Sequence, residues 1–433
     1  MKTTKLFFMA ALALTFAACS NDDNDIQSPV EQPAKAEGIT ITTTLAPKTN
    51  GATNRAVSEG TNEIVVEWAV NEHIAILYTK DATPYAADAT ITAVDGSGTA
   101  TITFTVEAGT PNDTPCTLVY PYSAAKDDHS GVKDAATLLA AQDGTLSANL
   151  DVRVGAGTIQ TTTPGLTVTT QPAAQFAIFK FTLQDLSAAA KSATEFKVSD
   201  GSGNVITTVT PGSASGELYV ALPVMAGTYW FNATINNKPY IAKATTAAAT
   251  VAGKYYQTTV KMATIGDVIL SDGKFAARSS TGTNVAMIAY LGSETGDATY
   301  THGLALALSD VSANKLSWDN TNANNAGKTA AEWCSDWNTT KTITGGTWML
   351  PSKDQWNKMI NACKNVLGTK NNYLDLRNGF NGISGASNLQ SAYYWSSTES
   401  NSAEAWDYNF LNGSWSNIDS KDYYCWVRAC LAF

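Results

Sequence analysis

Ile39-Thr40-Ile41-Thr42-Thr43-Thr44-Leu45 is the stretch on which the organisation of this chain turns. Ile39, Ile41, Thr43 and Leu45 fall on one face; Thr40, Thr42 and Thr44 fall on the other. That is the period of a half-buried β-strand. The run stops at Pro47, and a Gly/Asn/Thr-rich loop from Thr49 to Asn54 leads to Arg55. An export signal lies upstream and about two hundred residues of strand-rich sequence lie downstream. One strand is thus tethered on one side and joined to its sheet by a cleavable loop on the other. The expectation is a removable strand with Ile39, Ile41 and Leu45 as its buried face, released by a cut between Arg55 and Ala56.

Residues 1–18 have the form of a secretory signal. Lys2 and Lys5 open it, and the apolar run from Leu6 to Phe16 is too short to remain as a membrane span. It ends in Leu14-Thr15-Phe16-Ala17-Ala18-Cys19. Small residues directly before a cysteine resemble the bacterial lipobox, which implies acylation (palmitate) at Cys19 and anchoring in the outer membrane. The acidic run Asn21-Asp22-Asp23-Asn24-Asp25 resembles a surface-export signal, and reads equally well as a solvated linker. Residues 19–37 carry Pro29 and Pro33 and too few apolar side chains to fold.

The 433-residue chain has room for several domains. Hydrophobic residues make up 44%, enough for packed cores, and charged residues only 15%, which suits an exported β protein. A net charge of −10 argues against nucleic acid and anionic membrane surfaces as partners.

Strands are expected over Glu63–Trp68, Ile74–Tyr78, Thr101–Val106 and Cys116–Pro121. Asp95-Gly96-Ser97-Gly98 is a hairpin signal before the third of these. Residues 124–150 read as a long loop with a short helix. A second β unit is expected from 157 to 262. Phe179, Phe181 and Leu183 share a face in it, a second Asp-Gly-Ser-Gly turn runs from Asp200 to Gly203, and Leu218/Val220/Leu222 and Tyr229 to Ile235 alternate.

Lipobox, linker, strand, loop arginine and two β units resemble the fimbrillin family, the subunits of the type V pilus. Gly216-Glu-Leu-Tyr-Val-Ala-Leu-Pro223 and Ala252-Gly253-Lys254-Tyr255-Tyr256 are similar to the end of a fimbrillin's second domain. The resemblance covers residues 1–262. It implies two transthyretin-like β-sandwiches, 38–156 (with 38–55 removable) and 157–262, proteolytic maturation after Arg55, and pilus-subunit partners joined by donor-strand exchange. A sheet stripped of an edge-pairing strand exposes unpaired backbone groups and an apolar groove. A neighbour's strand fills such a groove by β-augmentation.

From about residue 263 the composition changes, and nine of the eleven Trp lie at or after Trp318. Thr329–Trp337 and Ser352–Leu367 read as helices, the second with Ser352 as N-cap. A final strand is expected over Tyr423–Phe433. Gly346-Thr-Trp348-Met-Leu350-Pro351-Ser352, Tyr394-Trp395-Ser396-Ser397-Thr398 and Trp426-Val-Arg428-Ala429 resemble, in order, a C-type-lectin-like module at the ends of bacterial surface lipoproteins. The overall fold class is therefore mainly β, two sandwiches followed by an α+β lectin-like domain over 263–433. The candidate ligand contacts are Trp395, Glu399, Asp407, Asn409, Asn412, Trp415 and Asn417, with aromatic rings to stack on sugars and polar groups to orient them. Core packing competes with that role for every Trp. Trp348, Trp356 and Trp426 are expected inside. In the strand Ala405–Phe410, Trp406, Tyr408 and Phe410 should face in, with Asp407 and Asn409 outward. Asp407-Tyr408-Asn409 matches a calcium-lectin cluster poorly, so calcium is permitted but unsupported, and no cofactor is expected.

Cys116, Cys334, Cys363, Cys425 and Cys430 remain after Cys19. Export permits disulfides, but an odd count leaves one thiol free, with Cys116 the candidate. Cys425 and Cys430 on one strand would lie roughly 16 Å apart, so bridges from either to Cys334 or Cys363 are better expectations. The Cys pair also resembles formylglycine-generating oxidases, but their Gly-Asn-Val-Trp-Glu-Trp and Arg-Gly-Gly-Ser-Trp strings are missing. His73, His129 and His302 are scattered, and no catalytic motif appears. The expectation is no enzyme but a fimbrial tip subunit on the cell surface, whose last strand completes its own module. The alternative is a lipid-anchored, non-polymerising glycan-binding lipoprotein.

Overall fold

The computed structural model describes residues 37–48, 57–59, 64–367 and 372–433. Cys19, Arg55 and Ala56, with the signal and linker, lie outside the described residues. The fold is mainly β.

The first sheet has seven strands: β1 Ile39–Leu45, β2 His73–Lys80, β3 Thr83–Val94, β4 Ala100–Val106, β5 Thr114–Tyr120, β6 Arg153–Gln160 and β7 Gly165–Ala174. Their order is β1-β4-β3-β2-β5-β6-β7, with every neighbouring pair antiparallel. The sheet curls until its two ends meet, where the Thr43 hydroxyl of β1 donates to the Leu166 carbonyl of β7 at 3.3 Å. The curl encloses Ile41, Leu45, Trp68, Ile74, Ile76, Ile91, Ile102, Phe104, Leu118 and Ile159 in one core. Asp95 closes the β3–β4 turn by accepting from the Ser97 and Thr99 backbone at 2.8 and 2.9 Å, with Gly98 at φ +82°. The matching Asp200 accepts from Ser202 and Asn204, each at 2.9 Å, so both Asp-Gly-Ser-Gly turns fold alike.

The boundary expected at 157 is corrected. β5 pairs with β6 from Thr114↔Ile159 to Tyr120↔Arg153, and β7 pairs onto β6, so the first sheet runs on to Ala174. The next sheet begins at Ala177–Asp185, which pairs antiparallel with Glu217–Leu222 and parallel with Tyr255–Thr264. Lys238–Thr246, Gly227–Ile235, Glu195–Asp200 and Val205–Val209 continue it around Phe181, Phe196, Val220, Phe231 and Met262. The expected loop of 124–150 holds a short helix, Ala135–Leu139. It then lends Ala141–Gln142 to this second sheet's edge, parallel to Val205–Val209.

The third unit joins a six-stranded sheet to the three-stranded sheet Tyr393–Glu399, Glu404–Asn409, Ser414–Ser420. Helix Ala330–Ser335 starts at a Thr329/Glu332 capping box, and helix Lys353–Val366 at a Ser352/Gln355 one. Trp348, Trp356, Trp395, Tyr394 and Phe410 fill its core. Trp230 and Ile241 of the second unit share that core, and His302 stacks on Trp230 with ring centroids 3.7 Å apart.

Two strand expectations are corrected here. Only Cys430–Ala432 of the stretch from Tyr423 to Phe433 is regular strand. Upstream, the chain winds around the fully buried Arg428 guanidinium, which donates to Asp310 at 2.7 Å and to the Ala307 carbonyl at 2.8 Å. Cys425 instead bridges Leu316. In Glu404–Asn409, a register shift between Ala405 and Asp407 breaks the alternation. Asp407 and Asn409 are buried beside Tyr408 and Phe410, and Trp406 is half-exposed. Trp426 is likewise only half-buried. The expected bridges to Cys334 or Cys363 do not form: all five described cysteines are free and buried.

Candidate strand-docking groove

β1 is an edge strand: among the described residues its backbone forms a ladder on one side only, with β4, from Ile39↔Val106 to Leu45↔Ala100, and on the other side only the Thr43 hydroxyl reaches β7. Its alternation sets its role. Ile41 and Leu45 are fully buried in the core and Ile39 packs partly against it. Outward, Thr40 pairs with Thr105 and Thr42 with Thr103, each at 3.1 Å between hydroxyls. The three candidate apolar residues are thus brought together as one row in one groove. Its walls are contributed downstream of Arg55 by β4 and β7.

Beyond Leu45 the chain is fastened by contacts that no local motif announced. The Trp68 indole N–H donates to the Ala46 carbonyl at 2.9 Å. Lys48, whose side chain is wholly shielded from water, places Nζ 3.5 Å from both Glu72 and Asp151. The same ammonium lies 4.2 Å from the Trp68 ring centroid and 3.5 Å from that of Tyr120. Glu72 is held by the Tyr120 hydroxyl at 2.5 Å and the Ala69 N–H at 3.0 Å. Asp151 is held by Arg153 Nε at 2.9 and 2.8 Å, and Arg153 also donates to the Lys48 carbonyl at 3.4 Å. Burial pushes the Lys48 ammonium down to about 8, against the opposing pull of Asp151 and Glu72. Burial, with Glu72 beside it, holds the Tyr120 hydroxyl far above its ordinary range.

The candidate ligand residues of the third unit do not form one surface. Trp395 is fully buried and its indole donates to the Leu316 carbonyl at 3.0 Å, so it has no face for a sugar. Asp407 is fully buried, and burial, then the facing Asp419, pushes its carboxyl up to about 9. Asn409 is buried and accepts from the Leu411 N–H at 2.8 Å. These three leave the candidate set as core groups. Glu399, Asn412 and Asn417 are exposed and Trp415 half-exposed. Glu399 is paired with Lys421 at 3.4 Å, and Trp415 donates to Asn357 at 3.0 Å. Lys353 covers one face of Trp406 at 3.1 Å from its centroid. Among the described residues, no group of three or more His, Cys, Asp or Glu is placed to hold a metal ion.

No family model and no curated protein matches the chain. Among solved structures it is similar to a fimbrial protein from Bacteroides ovatus, 14% identical over 86% of this chain and 95% of that one, with a TM-score of 0.31. It is similar to a fimbrial assembly protein from Parabacteroides distasonis, 12% identical over 51% of this chain and 90% of that one, TM-score 0.29. The tip fimbrial protein Mfa3 from Porphyromonas gingivalis, with C-terminal truncation, is similar at 8% identity over 52% of this chain and 98% of that one, TM-score 0.25.

Proposed function

We propose that this chain is a surface fimbrial subunit assembled by strand exchange. In this reading it is exported as a lipoprotein through Cys19, cut between Arg55 and Ala56, and freed of β1 so that a neighbour's strand takes its place. The observation that carries the reading is the position of β1: an edge strand with one backbone ladder, yet with Ile41 and Leu45 fully buried. An edge strand leaves without dismantling the ladders behind it. Each large aliphatic it withdraws is worth about 2 kcal/mol of burial, enough that the vacated groove demands an occupant. In this reading the subunit takes the tip position, and the strand Cys430–Ala432, bonded on both sides, stays in its own sheet. The third unit would then serve attachment to a cell surface or glycan, through the exposed Glu399, Asn412 and Asn417 with Trp415.

A second reading, the lipid-anchored receptor that keeps β1, is favoured by one observation: the fastening of Lys48 at the end of the strand. An Arg-specific protease separates the two. A subunit is expected to lose the segment ending at Arg55, seen by intact mass, and to accept a β1-sequence peptide. Retention of the segment after the cut, with no exchange, sinks the polymer reading. An array of glycans presented to the full-length protein tests attachment, and no bound glycan removes the glycan role.

A further inference from the structure

We propose that the groove reads charge as well as shape: the box at its end selects an incoming strand that carries a lysine three residues beyond its last buried aliphatic. This rests on the strand-exchange reading above. Trp68, Glu72, Tyr120, Asp151 and Arg153 all lie downstream of Arg55 and stay with the body of the protein, whereas Lys48 leaves with the released segment. While Lys48 is in place, its ammonium and the Arg153 guanidinium face the Glu72 and Asp151 carboxylates. Its departure leaves two carboxylates, Asp151 buried and Glu72 partly so, against one cation. It also strips the Trp68 indole N–H of the Ala46 carbonyl and Arg153 of the Lys48 carbonyl.

A strand that fills only the Ile41 and Leu45 positions restores the apolar core and the β4 ladder. It leaves those polar groups in a site closed by Trp68 and Tyr120, both 1% exposed. Unpaired groups in such a site are penalised more heavily than the pair is rewarded. A strand running in the β1 direction, with aliphatics four apart and Lys three residues after the second, restores every contact. An acidic residue there would meet Glu72 and Asp151 directly, so the box also rejects. The occupant is therefore an extended segment of a neighbouring subunit with that spacing, and the lysine amino group set between Glu72 and Asp151 is the feature recognised.

The test uses the full-length protein nicked after Arg55 and fluorescein-labelled synthetic peptides with the sequence of residues 37–52. One is unaltered, one carries Lys48→Met and one Lys48→Glu, and binding is followed by anisotropy. The unaltered peptide is expected to bind at least thirtyfold more tightly than the Met peptide, with no measurable binding of the Glu peptide. If the Met and unaltered peptides exchange equally well, charge selection is overturned and strand exchange stands. If none enters although the cut is complete, strand exchange fails and the charge selection falls with it. Because the substitutions are in the peptides, no outcome reflects misfolding of the receptor.

Discussion

β1 and the strand Cys430–Ala432 both carry fully buried side chains, Ile41 and Leu45 in the first and every residue in the second, and are held in opposite ways. β1 has one backbone ladder, an outward row of threonines, and a box of charges at one end. Cys430–Ala432 lies between Gly303–Ala307 and Thr347–Met349, is buried at every residue, and is continued by Phe433, whose carbonyl accepts from His302 and Gly303 at 2.8 and 3.1 Å. The presence of fully buried side chains therefore does not by itself say whether a strand is removable. The number of ladders it holds does, because withdrawing a two-sided strand orphans backbone groups on both neighbours.

The largest expected effect breaks the comparison from its stronger side. Leu431→Asp places a charge between two ladders in a fully buried site and is expected to cost about 4 kcal/mol or more. The whole third unit should respond, and its tryptophan fluorescence reports it. Ile41→Asp is expected to free residues 39–45 to exchange amide hydrogens while the other strands stay protected. If Ile41→Asp unfolds the entire first sheet, β1 is integral to that sheet and the contrast is wrong.

Next in size is the fastening of β1. Lys48→Met leaves Glu72 and Asp151 with one partner group fewer each, and is expected to weaken β1 docking by about 2 kcal/mol, each acid keeping another hydrogen bond. The pH dependence has a definite sign. Lys48 titrates near 8 in place and near its ordinary 10.5 when released, so between those values the released state binds more protons. Docking therefore tightens as pH rises from about 8, with Glu72, Asp151 and Arg153 as the charged groups facing it. The rise ends near the ordinary lysine value of 10.5, above which neither state holds the proton. Hydrogen exchange of residues 39–45 across that range shows the rise in the native chain, and Lys48→Met should abolish it.

β1 was legible because it is an edge: one face meets water, so polarity alternates residue by residue and its bounds can be read to Ile39 and Leu45. Ser352 was legible for another local reason, its hydroxyl and Gln355 closing the first turn within four residues. The C-terminal strand was not legible in the same way. Both its faces are buried, so Tyr423–Phe433 carries no alternation to mark where regular pairing starts. Asp407 was misplaced because period two fails across a bulge. The Lys48 box could not be read at all, since its members come from five separate places between residues 48 and 153. Lys48 offered only its position directly after Pro47, which does not say which acids it meets.

Asp407 sharpens the view of the third unit as a body that opens as a whole. Its carboxyl, held near 9 by burial and by Asp419, keeps its proton in the folded state and loses it on unfolding at neutral pH. The folded state therefore binds more protons, and stability falls as pH rises from the ordinary carboxylate range toward 9. Asp407→Asn is expected to flatten that decline and to leave the third unit about 1–2 kcal/mol more stable at pH 8. Thermal melts from pH 5 to 8.5 check it, and an unchanged slope would mean that another group carries the proton.

The smallest effect is also the most specific to β1. Thr42 and Thr103 meet across the outward face at 3.1 Å, exposed to water, and no core atom depends on them. A cross-strand threonine pair of this kind is worth about 0.5 kcal/mol. Thr42→Ala should therefore speed amide exchange in residues 39–45 roughly twofold without shifting the global melt. The C-terminal strand, which has no solvent face, offers no equivalent position, since substituting any of its residues disturbs packing on two sides. A twofold change confined to β1 is what a strand held by one ladder and one row of side chains should give. A change that spreads through β4 to β2 would mean that the edge and the sheet open together, and that the groove exists only as part of that larger opening.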